Sequence, residues 1–241
     1  MEKKIDGHVH FHYPTDFVSR DLSSDILRMK EIGKSHGLDN FLGIFRRDDL
    51  NEIESFLEDG DIHPGLYIEP EDDRKSLEDF ADQFKFAKIH SKMIGLHSQE
   101  AVDKKIDECA EAGLGKVQIH TDEIYPEFLD TIEKYSEGTG IDLYLVHGAG
   151  ALYGLTASSD EEDIERLKEM EGVFLGTSTP GKIFDSGYLK EVEGFEDQLV
   201  YESDFTPSDR DFWYSSTIEE VEKSNVDPEK IFYENAKRFI D

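Results

Sequence analysis

The 241-residue chain contains one cysteine, Cys109, so no disulfide can form within it. Cys109 falls in a helical pattern from Asp103 to Ala112, where a lone thiol is expected as a small buried residue. Basic residues are also scarce. Lys and Arg number 26 against 56 Asp and Glu, a formal net charge of −30. Nucleic acid needs a basic surface to meet its phosphates, so the balance argues against such a partner, and equally against an anionic membrane surface. No apolar run approaches the ~20 residues of a membrane span. No signal peptide is expected, because Met1-Glu2-Lys3-Lys4 leads straight into the first strand, and a cytoplasmic protein is the expectation. Low-complexity tracts, close repeats and charge blocks are missing too, so nothing marks a linker or a tail.

What the chain does have is alternation. Short apolar runs predict strands over Lys4–His10, Asn40–Arg46, Ile62–Glu69, Phe86–His90, Lys116–His120, Asp142–His147, Val173–Thr177 and Leu199–Asp204. Between them, amphipathic stretches predict helices over Asp21–His36, Asp48–Glu58, Arg74–Phe84, Gln99–Ala112, Pro126–Glu137, Asp160–Met170 and Ser186–Glu191. Thr217–Ser224 follows the last strand, and a final helix runs from the Asp227 cap and Pro228 to about Ile240. Eight strands alternating with helices predict a parallel sheet, either open or closed.

The first strand carries the most informative feature, Ile5-Asp6-Gly7-His8-Val9-His10. Side chains alternate along a strand, so His8 and His10 share one face about 7 Å apart along the backbone. Two imidazoles so placed can grip one transition metal. Three further strands end in metal-competent residues: His120, His147 and Asp204. An open sheet would leave the first and eighth strand ends far apart, whereas a closed barrel brings all of them into one ring. The expectation is therefore a single-domain α/β fold, a (β/α)8 TIM barrel over 1–241.

Taken in order, these residues resemble the amidohydrolase superfamily of metal-dependent barrels, in its amidohydrolase-related branch. The finer motifs that carry the resemblance are Lys88-Ile-His-Ser, Ile119-His-Thr, Val146-His-Gly-Ala-Gly, Ser203-Asp-Phe-Thr-Pro and Ile231-Phe-Tyr-Glu-Asn-Ala-Lys-Arg-Phe. The resemblance implies that His8, His10, His120 and Asp204 hold a divalent metal, zinc first among them, with one ion favoured over two. It further implies hydrolysis of a small-molecule substrate by a metal-activated water. Asp204 would act as general base, and His147 would polarise the reacting group or pass it a proton. Lys88 is ambiguous: it is the bridging ligand of a second metal in some members, or the partner of a buried Glu202. Glu202 departs from the branch pattern, and Glu202-Ser203-Asp204 is similar to TatD-type deoxyribonucleases, a minor alternative in which Glu69 would substitute for a missing ligand. Non-oxidative decarboxylation with the same ligands is the main rival. His12, Arg46, Lys88 and His90 are the expected substrate-binding residues, Arg46 and His90 as holders of a carboxylate. Asp122, Glu123, Tyr125 and Tyr153 lie on loops near the same rim, and Phe212-Trp213-Tyr214 follows the last strand as a wall of the pocket or as outer packing. His36, His63 and His97 read as structural. The oligomeric state is not legible.

An acidic excess of this size is usual where concentrated salt screens self-repulsion, so a halophilic source is expected. The melting temperature should accordingly rise between low and molar potassium chloride. A flat or falling midpoint in that titration would remove the halophilic reading.

Overall fold

The computed structural model describes residues 4–11, 21–91, 95, 98–121, 124, 126–136, 139–152, 161–178, 194–204, 212–224 and 226–241. His12, His97, Asp122, Glu123, Tyr125, Tyr153 and the expected helix over Ser186–Glu191 lie outside the described residues. Eight strands form one parallel sheet in chain order: β1 (Lys4–His10), β2 (Leu38–Phe45), β3 (Ile62–Tyr67), β4 (Phe86–Ile89), β5 (Lys116–His120), β6 (Asp142–Val146), β7 (Val173–Gly176) and β8 (Leu199–Val200). The sheet curls until its edges meet. The Gly7 amide of β1 donates to the Tyr201 carbonyl just past β8 at 2.8 Å. This is the (β/α)8 barrel that the alternation predicts.

Local chemistry explains where the outer helices begin. Asp21 accepts the Ser24 amide at 3.1 Å and so caps the helix over Leu22–Ser35. Ser98 does the same for Gln99–Glu111, and Asp73 and Ser76 cap Arg74–Glu78 reciprocally. Cys109 is fully buried, and burial pushes its thiol up to about 12, as expected of an inert core residue. Among the described residues, no helix is long and apolar enough to cross a membrane. The helix after β8 starts at Phe212, five residues before its expected start at Thr217.

One strand boundary departs from the expectation. The expected eighth strand over Leu199–Asp204 pairs only over Leu199–Val200. Beyond it the backbone amides are satisfied one by one: Tyr201 by the Ile231 carbonyl, Glu202 by Thr177 Oγ1 and Ser203 by Asp6 Oδ1. The last helix runs from Pro228 to Ile240 as expected, with a π turn over Lys230–Glu234 inside it. Within it Asn235 Nδ2 donates to the carbonyls of Glu196 and Leu199, 2.7 Å each, tying the helix to the entry of β8. The same helix delivers Phe239, whose ring lies within 5.7 Å of those of Phe86, Tyr144 and Phe174 from β4, β6 and β7.

Closure at β1 requires a residue without a side chain. A Cβ at Gly7 would come within 2.6 Å of Val200, 2.7 Å of the Tyr144 hydroxyl and 2.9 Å of the Tyr201 carbonyl. Gly7→Ala should therefore force the seam apart and lower the unfolding free energy by about 1–3 kcal/mol, the usual cost of overpacking. Urea unfolding followed by circular dichroism reads this directly, and an unchanged midpoint would mean that the seam is not tightly closed.

Candidate metal centre at the barrel mouth

The C-terminal ends of β1, β5 and β6 and the segment after β8 converge at one end of the barrel. On β1, His8 is fully buried and His10 nearly so. Gln118 Nε2 donates to the Gly7 carbonyl at 2.9 Å, which leaves its Oε1 facing His8 Nδ1 at 2.8 Å. An acceptor at that position places the His8 proton on Nδ1 and frees the Nε2 lone pair. Burial first, then Lys88 and His10, hold the His8 pKa well below the ordinary value, so the ring is neutral. Its Nε2 faces His10 Nε2 at 2.9 Å. Asp204 Oδ1 completes the group, 3.3 Å from His10 Nε2 and 3.8 Å from His8 Nε2.

One ligand atom from each of these three residues lies within 4.8 Å of the other two. Two imidazole nitrogens and a carboxylate oxygen converging on one point suit a divalent transition metal, and His8 already has the tautomer of a ligand. His120 stands at the same mouth, its ring edge-on to His147 at 4.9 Å and stacked on His90 at 3.9 Å. Among the described residues it does not join the compact three-residue set. His147 Nε2 lies 4.0 Å from Asp204 Oδ2.

Both residues at the ends of the sixth and eighth runs adopt left-handed backbone, with φ of 63° at His147 and 52° at Asp204. Histidine and aspartate tolerate this region better than most side chains, and such conformations gather at functional sites. The His147 conformation is held by its own amide, which donates to Glu202 Oε1 at 2.7 Å. Burial holds the pKa of the His147 imidazole down to about 3. Glu202 also receives Ser178 Oγ at 2.5 Å on Oε1 and the Tyr144 hydroxyl at 2.7 Å on Oε2.

The expected Lys88–Glu202 ion pair is not a contact. Lys88 Nζ is fully buried with no hydrogen-bond partner among the described residues, while Glu202 is occupied by Tyr144, Ser178 and the His147 amide. The two groups interact through space. Burial pushes the Lys88 amine down, against Glu202 and Asp204, which favour its charge, and burial likewise pushes the Glu202 carboxyl up. At the rim, Arg46 follows β2 and points its Nε at Glu69 Oε1, 3.5 Å away, and His90 directly follows β4.

Sequence reasoning overlooked the residues that support the cluster. Gln118 sits two positions before His120 on the same strand face, so alternation could have found it. Asp6 was visible as a carboxylate inside an apolar run. It is fully buried and accepts Ser203 Oγ at 2.6 Å, the Ser203 amide at 3.0 Å and the His8 amide at 3.2 Å. Ser178 had no such signal, because it lies past the end of β7.

A parallel (β/α)8 barrel with a histidine–carboxylate cluster at its C-terminal mouth defines the class, and known structures share the fold. A probable 2-pyrone-4,6-dicarboxylic acid hydrolase from Acinetobacter baumannii superposes with a TM-score of 0.69 at 14% identity, covering 99% of both chains. Amidohydrolase 2 from Bifidobacterium longum subsp. infantis gives 0.60 at 18% identity, again over 99% of both chains. A TatD homologue from Escherichia coli gives 0.59 at 13% identity, over 98% of this chain and 93% of its own. No protein-family model and no curated protein matches the chain. Both family branches suggested by the motifs thus occur among proteins of this fold, and at these identities the likeness establishes the barrel architecture.

Asp6 ties β1 to the segment that carries Asp204, so its loss should be costly. Asp6→Ala strands two buried amides and a hydroxyl, each unsatisfied donor costing about 1–3 kcal/mol. The variant should lose about 3 kcal/mol or more in chemical denaturation, and wild-type stability would show that water replaces the carboxylate at no cost.

Proposed function

We propose that the chain is a metal-dependent hydrolase of a small-molecule substrate, of amidohydrolase type. The observation that carries this reading is the convergence of His8, His10 and Asp204 ligand atoms within 4.8 Å at the barrel mouth. In barrels of this architecture, active sites are built at that end. His8, His10 and Asp204 would hold one ion, with His120 beside them as a further donor. Zinc, the expected ion, suits imidazole and carboxylate donors. Such an ion supplies Lewis acidity and lowers the pKa of a water toward neutrality.

The chain's own residues do the rest. Gln118 fixes the His8 ring so that one nitrogen faces the centre. Asp204 accepts a proton at Oδ1 or Oδ2, since its carboxylate lies between His10 Nε2 and His147 Nε2. His147 serves the substrate side. Arg46 and His90 at the rim would meet the substrate's polar groups, a role expected also of His12 and Lys88. A carboxylate-bearing substrate suits the Arg46 guanidinium fork and the hydrogen-bond donors beside it. The acidic exterior makes nucleic acid and anionic membranes poor partners.

As-purified protein should contain about one divalent ion per chain by elemental analysis, and His8→Ala or His120→Ala should abolish tight binding. Asp204→Asn should remove nearly all turnover. His147→Asn should keep the ion and lose about 10²–10⁴-fold in rate, the usual size of a general acid–base contribution. Two ions falling to one on His147→Asn or Lys88→Ala would overturn the one-metal reading. Carbon dioxide released from an acid substrate without incorporation of solvent oxygen would replace hydrolysis by decarboxylation.

A further inference from the structure

The polar chain behind His147 has a direction, and that direction determines which way the histidine can act. The His147 amide can only donate, and it donates to Glu202 Oε1. That oxygen is therefore an acceptor, and Oε2 likewise accepts the Tyr144 hydroxyl, so both carboxylate oxygens face donors. Ser178 Oγ, 2.5 Å from the same Oε1, spends its single hydrogen there. With its hydrogen committed, Ser178 can offer only a lone pair to His147 Nδ1, 2.6 Å away. The imidazole proton then belongs on Nδ1.

We infer that Glu202 and Ser178 are positioning residues that lock His147 in the Nδ1–H tautomer, so that its Nε2 presents a lone pair to the reacting centre and works as an acceptor there. The inference deepens the hydrolase reading and rests on it for the meaning of the centre that Nε2 faces. Geometry on the far side agrees. Nε2 stands 4.0 Å from Asp204 Oδ2, beyond hydrogen-bond reach. A histidine meant to donate from Nε2 would instead be expected to hold Asp204 directly. The carboxylate that directs the chain also has space reserved for it. A Cβ at Gly176 would collide with the Glu202 carboxylate, so the absence of a side chain on β7 lets Glu202 reach its partners.

The tautomer is readable without substrate. In as-purified protein labelled with 15N at its 9 histidines, long-range proton–nitrogen correlation spectra distinguish a proton on Nδ1 from one on Nε2. His147→Asn identifies the signals by their loss. Wild type and Ser178→Thr should show His147 with its proton on Nδ1. Ser178→Ala should move the proton partly or wholly to Nε2, because Glu202 Oε1 is 3.5 Å from Nδ1 and too distant to take over. A proton on Nε2 in wild type overturns the inference whether or not the variants fold, and an unchanged pattern in Ser178→Ala removes Ser178 from it. Neither outcome depends on turnover, so the hydrolase reading stands or falls separately.

Discussion

The site depends on one seam. The chain's first strand has to meet the segment after its last, and that meeting is made by a handful of buried hydrogen bonds. The Gly7 amide reaches the Tyr201 carbonyl, and the Asp6 carboxylate gathers the amides of His8 and Ser203 with the Ser203 hydroxyl. Such bonds contribute modestly when made and cost much more when one partner is lost, which makes the seam cooperative. Because Asp6 bonds the residue immediately before Asp204, the same contact that closes the barrel also places a carboxylate against His8 and His10. Fold closure and site assembly are one event.

A second theme is the contrast between surface and interior charge. The chain carries a net excess of 30 negative charges, spread along its whole length. Inside, a fully buried lysine faces two carboxylates without touching either in a hydrogen bond. Ion pairs in a low-dielectric interior repay their desolvation only with good geometry, and here the geometry is given to Glu202 and its three donors instead. Lys88 therefore acts by field over a distance. Burial above all keeps the His8 and His147 imidazoles neutral as lone-pair donors, and Lys88 pushes both the same way.

Much of this arrangement is legible in the order of the residues. Periodicity alone places β1 and β5 with their observed bounds, because apolar alternation in those runs ends at a histidine that faces the mouth. The four strand ends bearing His10, His120, His147 and Asp204 require closure, and closure is what the chain does. What escapes is whatever depends on partners distant in sequence. The run to Asp204 looks like strand but is pinned by Thr177, Asp6 and Ile231, none of which a local pattern can reveal. The Lys88–Glu202 pair fails for the same reason: charge complementarity suggests it, while three competing donors on Glu202 decide otherwise. Left-handed backbone at His147 and Asp204 leaves no trace in residue type, since both residues also occur freely elsewhere.

The missing side chain of Gly176 has an evolutionary reading. Positions 176 and 202 share one small volume, and glycine cedes it entirely to the glutamate. A relative that carried a small residue at the second position would leave a void that a larger side chain at the first could fill. The two sites should therefore drift together, exchanging bulk between β7 and the segment after β8 at roughly constant total. A lineage that gave up the glutamate would be released from glycine in the same step, and with it from the need for a serine at 178.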